Sequence, residues 1–142
     1  MGKRLTLVII AVLATAGLTL GNAGTAAARP VPAATWAVNG DHFWVRTPQC
    51  AGDVRVALTT DTARPGTVTA KFIPSRFTRT CTFYVWAGWG WMLPDQIRVK
   101  MTSGPRGGKP VVRTYRTGPG LALMGFGHRP SLSSISMYTW VP

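Results

Sequence analysis

Few side chains in this chain can move a proton or hold a metal. Asp41, Asp53, Asp61 and Asp95 are its only acids, and His42 and His128 its only histidines. A hydrolase working through paired carboxylates would have to draw both from aspartates that each stand beside a turn, where Asp is favoured for local hydrogen bonding. Asp41 and His42 are neighbours, but adjacent strand residues point to opposite faces, so no dyad is expected from them. His128 stands near Ser131, Ser133 and Ser134 without the G-x-S-x-G elbow that would expose a nucleophile. Two histidines without ligand spacing point to no metal. Gly104 to Lys109 has the glycines of a phosphate loop but lacks G-K-[ST] and the helix that follows it, so it reads as a hairpin loop. No catalytic residue, metal ligand or cofactor is therefore assigned, and an enzyme built on Asp41, His42 and His128 is the weakest reading.

Other residue types carry more information. Cys50 and Cys81 are the only cysteines. An even count in an exported chain reads as one disulfide, and closing a loop of about 30 residues stabilises a fold by roughly 3–4 kcal/mol. Trp86, Trp89 and Trp91 crowd with Gly88 and Gly90 into a stretch that ends at Pro94. Indole rings there suit a glycan face or an envelope surface, with packing against the end of the fold as the structural alternative. Arg55, Lys71, Arg98 and Lys100 fall on the polar phases of alternating segments, with Arg76, Arg79, Arg106, Lys109, Arg113 and Arg116 in loops or at strand ends. If those phases share one face, the domain presents a basic sheet to a polyanion.

These groups must be positioned by whatever follows the first 28 residues. Lys3-Arg4 precede an uncharged run from Leu5 to Leu20, and small residues close on Ala26-Ala27-Ala28. A basic start, an apolar centre and an A-x-A end make a secretory signal peptide over residues 1–28. The apolar run is shorter than a spanning helix needs, and no second one follows, so no transmembrane segment is expected in the mature chain. The localisation expected is secreted. Without Lys3 and Arg4 the remaining 114 residues hold 14 basic side chains against four aspartates, a formal charge of +10. That length is one domain, and that charge favours anionic partners met with strong salt dependence.

Residues 29–34, with two prolines and small side chains, read as a flexible leader, and residues 35–142 as the domain. Its periodicity is two throughout. Thr35 to Val38 and His42 to Val45 flank Asn39-Gly40, the strongest local signal for a hairpin. Val54, Val56 and Leu58 alternate with polar neighbours, as do Val68, Ala70 and Phe72 beyond a polar turn, which predicts an antiparallel pair with one buried face. Further strands are read at Cys81 to Trp86, Ile97 to Met101, Val111 to Thr117, Leu121 to Phe126 and Ile135 to Val141, with 86–94 as a Gly- and Trp-rich connection. Eight or nine short strands and no amphipathic helix predict an all-β, antiparallel β-sandwich, Ig-like in general shape, with a small barrel as the alternative. An antibody-type domain is not implied, because no Trp lies between the two cysteines.

The function expected is non-enzymatic binding at or outside the cell envelope. The partner expected is an anionic envelope polymer or glycan, met by Arg55, Lys71, Arg98 and Lys100 and by Trp86, Trp89 and Trp91. No specific nucleic-acid role is expected. The rival from another class is a secreted inhibitor or toxin-like effector that inserts loop 86–94 or 103–110 into a partner protein.

Overall fold

A computed structural model describes residues 31–33, 35–90, 95–129 and 134–142. The segment read as a signal peptide lies outside them. The described residues form ten strands and no helix: β1 (Val31–Pro32), β2 (Thr35–Val38), β3 (His42–Arg46), β4 (Ala51–Thr60), β5 (Thr67–Pro74), β6 (Cys81–Trp89), β7 (Asp95–Ser103), β8 (Val111–Arg116), β9 (Gly120–Gly127) and β10 (Ile135–Val141). They build two antiparallel five-stranded sheets. Sheet A runs β1-β4-β5-β8, with β3 also paired to β4, and sheet B runs β2-β10-β9-β6-β7.

The alternation read from the sequence is the alternation that packs. Val56 pairs with Phe72 and Leu58 with Ala70 across β4 and β5, and these side chains are buried. Their intervening neighbours, such as Arg55 and Lys71, are exposed. Sheet B contributes Phe83, Val85, Val99, Met101, Met124, Phe126, Ile135 and Met137 to the same core. Phe72 of sheet A and Phe126 of sheet B meet edge to face between the layers, 5.6 Å apart at an interplanar angle of 75°. Cys50, just before β4, is bonded to Cys81, the first residue of β6, with Cα atoms 6.3 Å apart. The bond therefore ties the residue that leads into β4 of one sheet to the first residue of β6 in the other.

Two local expectations are corrected. Asn39 and Gly40 do adopt the positive φ values that their types favour, 68° and 85°, but they make no hairpin. β2 pairs with β10 in sheet B, whereas β3 pairs with β4 in sheet A, so the turn carries the chain between layers. Each strand finds a longer partner than the other could offer, and two consecutive left-handed residues reverse a chain equally well in either setting. The segment 86–94 is not wholly a connection either. β6 continues through Trp89, which stands opposite Asp95 on β7. Gly88 lies opposite Gly125 on β9, and glycine in both strands leaves the ladder intact.

The segment read as a leader includes the short strand β1. Val31 and Pro32 pair with Thr60 and Thr59 on the edge of β4 that lies beyond β3, and the Ala33 N–H donates to the Leu58 carbonyl at 3.1 Å. Pro32 is tolerated because an edge strand can omit a donor.

Among the described residues the core holds two hydroxyls without a partner, those of Tyr115 and Thr139. Thr139 is fully buried on β10, and its hydroxyl has no hydrogen-bond partner among the described residues. Thr139→Val keeps the shape and β-branching while removing the desolvated hydroxyl. It is expected to raise the unfolding free energy by about 1 kcal/mol, read from the urea midpoint at unchanged m-value.

Candidate functional site

The cations are held in place by two loops that pack on each other. Residues 75–80, between β5 and β6, run beside the start of β4: the Ser75 N–H donates to the Asp53 carbonyl and the Thr78 N–H to the Ala51 carbonyl, both at 2.9 Å. Phe77 points inward, 2% exposed, and stacks on Phe83 with centroids 4.6 Å apart. That inward anchor leaves Arg76 and Arg79 exposed on the rim. The loop between β7 and β8 is pinned by a reciprocal pair of hydrogen bonds between Gly104 and Gly107, at 3.3 and 2.8 Å. Pro105 and Arg106 occupy the tip, and Gly107 takes a φ of 85°. Pro at the first central position and a left-handed glycine after the turn are what this geometry favours.

The loops are joined by the Phe77 N–H donating to the Gly104 carbonyl at 2.9 Å and the Ser103 hydroxyl donating to the Ser75 carbonyl at 2.7 Å. Beside them opens a cleft of about 800 Å³, lined among others by Thr80, Lys100, Arg106 and Lys109. No carboxylate lines it. Among the described residues the ion pairs are confined to Asp41 with His42 and Arg55, and Asp61 with Arg64. Arg76, Arg79, Lys100, Arg106 and Lys109 therefore face solvent at one end of the molecule without an ion-pair partner among the described residues.

The four strand cations do not make one face. Arg55 and Lys71 lie on the outside of sheet A and Arg98 and Lys100 on the outside of sheet B, on opposite sides of the molecule. The sequence shows the phase of each strand but not its sheet. Arg55 is also engaged, its Nε donating to the Asp41 carboxylate at 2.6 Å. That bond and the one from His42 hold the Asp41 carboxyl below its ordinary range. Asp41 precedes β3 instead of lying in it, so strand alternation does not separate it from His42, and the two side chains meet at 3.3 Å. His128 is elsewhere. It lines a second, smaller cleft with Thr47, Tyr84, Trp86 and Arg98, at the far end of β3 from His42. Partial burial, then the charge of Arg129, pushes its imidazole below the usual value.

The tryptophans are distributed differently from the sequence expectation. Trp86 and Trp89 are half-buried. Trp89 packs on the core and lies 5.0 Å from the ring of Tyr115, whose buried phenol is pushed well above its ordinary pKa by desolvation. Trp91 lies outside the described residues. The displayed rings are instead Trp36, Trp44 and Trp140, at 63%, 68% and 62% exposure. Their signal in the sequence was phase: Trp140 shares the outward phase of β10 with Ser136 and Tyr138, opposite to Ile135, Met137 and Val141.

No family model, curated protein or solved structure matches this chain.

Proposed function

We propose that the protein is an exported, Ig-like β-sandwich that works by binding, without catalysis, to anionic surfaces at or outside the cell envelope. The reading rests on one observation: Lys100, Arg106 and Lys109 line an open cleft that no carboxylate lines, and the loop carrying the exposed Arg76 and Arg79 is hydrogen-bonded to the loop that bears two of them. Backbone hydrogen bonds and a buried Phe77 fix the loops, so the cations are presented without ordering a flexible segment on binding. The amino-terminal run of residues 1–28 and the Cys50–Cys81 bond support export, since disulfides persist in oxidising compartments.

Binding to immobilised heparin and to polyphosphate tests the reading. Retention in 50 mM salt and release in 500 mM are expected, because the contacts are charge pairs screened by added ions. The pair Arg106→Glu and Lys109→Glu is expected to weaken binding by at least about tenfold. Arg55→Gln, on the outside of sheet A and already paired with Asp41, leaves binding unchanged. Binding that ignores salt, or that survives the charge reversal, would overturn the assignment.

A further inference from the structure

The outer face of sheet B carries the largest group of exposed apolar side chains in the described residues. Trp36 on β2 stands opposite Tyr138 on β10, and Tyr138 stands opposite Leu123 on β9. In the next row Trp140 stands opposite Leu121. Trp36, Trp140 and Leu121 are each more than 60% exposed, and Val38 is 49% exposed. Such a contiguous apolar patch on a secreted domain marks a place of contact.

Farther along the same face the character changes. Trp86 stands opposite Arg98 and Tyr84 opposite Lys100 on β7. The Arg98 guanidinium lies 4.2 Å from the centre of the Tyr84 ring. Along β9 the Trp86 row lies six residues, roughly 20 Å at the rise of a β-strand, from the Trp140 row, and the Tyr84 row lies two residues farther. None of the four aspartates occupies an outward position of sheet B among the described residues. The face thus grades from aliphatic and aromatic groups at one end, through cations set against aromatic rings, to the basic loops.

We infer that this face is a docking surface for a phospholipid bilayer containing anionic lipid, with Trp36, Val38, Leu121 and Trp140 entering the interface and Arg98 and Lys100 meeting headgroup phosphates. The inference rests on the proposed binding to anionic surfaces and names the surface. Two features favour a bilayer over a sugar polymer. Leu121 and Val38 gain from hydrocarbon but offer a pyranose no stacking plane. The cations continue the patch toward the basic loops, where anionic headgroups complement them, and Trp and Tyr favour the headgroup level itself. Flat contact of an amphipathic surface with a bilayer needs apolar area and positive charge on one face, and this face supplies both.

The experiment uses the protein with vesicles of phosphatidylglycerol and phosphatidylcholine in equal parts, and with phosphatidylcholine alone. Co-sedimentation with the mixed vesicles is expected, together with a blue shift of Trp emission and quenching by lipids brominated on the acyl chain. The set Trp36→Gln, Leu121→Gln and Trp140→Gln, all at exposed sites, is expected to weaken mixed-vesicle binding at least about tenfold while leaving heparin binding intact. Vesicle binding without acyl-chain quenching would overturn the inference and leave the anionic-surface reading standing. The same holds if the parent protein self-associates and the substituted one does not, since a second copy would then cover the face. Failure to bind either vesicles or heparin at low salt would remove both readings. Acyl-chain quenching in the parent protein is decisive even if the substituted protein does not fold.

Discussion

Replacing Cys50 and Cys81 together with alanine is expected to lower the unfolding free energy by about 3–4 kcal/mol. The bond spans a sequence separation of 31, so its loss returns considerable loop-closure entropy to the unfolded chain. It also joins the two layers where the loop carrying Arg76 and Arg79 crosses from one to the other. For a domain with marginal stability of about 5–15 kcal/mol this is a large share. A thermal scan of the substituted protein should show the transition more than about 10 °C below that of the parent. A matching loss is expected when dithiothreitol reduces the parent protein. If reduction and substitution both leave the transition in place, the sandwich does not depend on the bond.

Gly52→Ala is expected to cost about 2–3 kcal/mol, although it adds a single methyl group to a strand. Gly52 is the second residue of β4, opposite Val45 on β3. A Cβ built there meets Cδ2, Cε2 and Cγ of Phe77 at 2.3, 2.5 and 2.6 Å. Phe77 cannot swing away, because its other side is stacked on Phe83. The glycine is thus required by close approach and not by its backbone angle. Urea denaturation of Gly52→Ala, Phe77→Leu and the double variant checks this: the double variant should be more stable than the sum of the two losses predicts, because the smaller side chain admits the methyl. Strict additivity would show that the two residues do not press on each other. Since Phe77 anchors the loop bearing Arg76 and Arg79, Gly52→Ala should also weaken heparin binding.

Much of the fold was legible in the residues. Val54, Val56 and Leu58 facing Val68, Ala70 and Phe72 follow from alternation alone, because a strand with one wet face and one dry face admits a single phase. The bond between Cys50 and Cys81 followed from there being two cysteines. Less of the functional surface was legible. Trp89 is indistinguishable in sequence from a displayed ring, yet its position on the inner phase of β6 half-buries it against the core, beside Tyr115. Trp36 and Leu121 are far apart along the chain and become part of one patch only because β10 lies between β2 and β9. The Asn39-Gly40 signal reports the sign of φ and says nothing of which strands the turn connects.

By itself the sequence determined the class of structure, the phase of the strands, the cross-link and the excess of positive charge. Each is a property of near neighbours or of simple counts. The tertiary structure decided the pairing of strands, and with it that Arg55 and Lys71 lie across the molecule from Arg98 and Lys100. It also decided that the loops bearing Arg76, Arg79, Arg106 and Lys109 share one end. Strand order is set by the burial of whole faces between two layers, a free energy summed over residues distant in the chain, and no local window of sequence contains that sum.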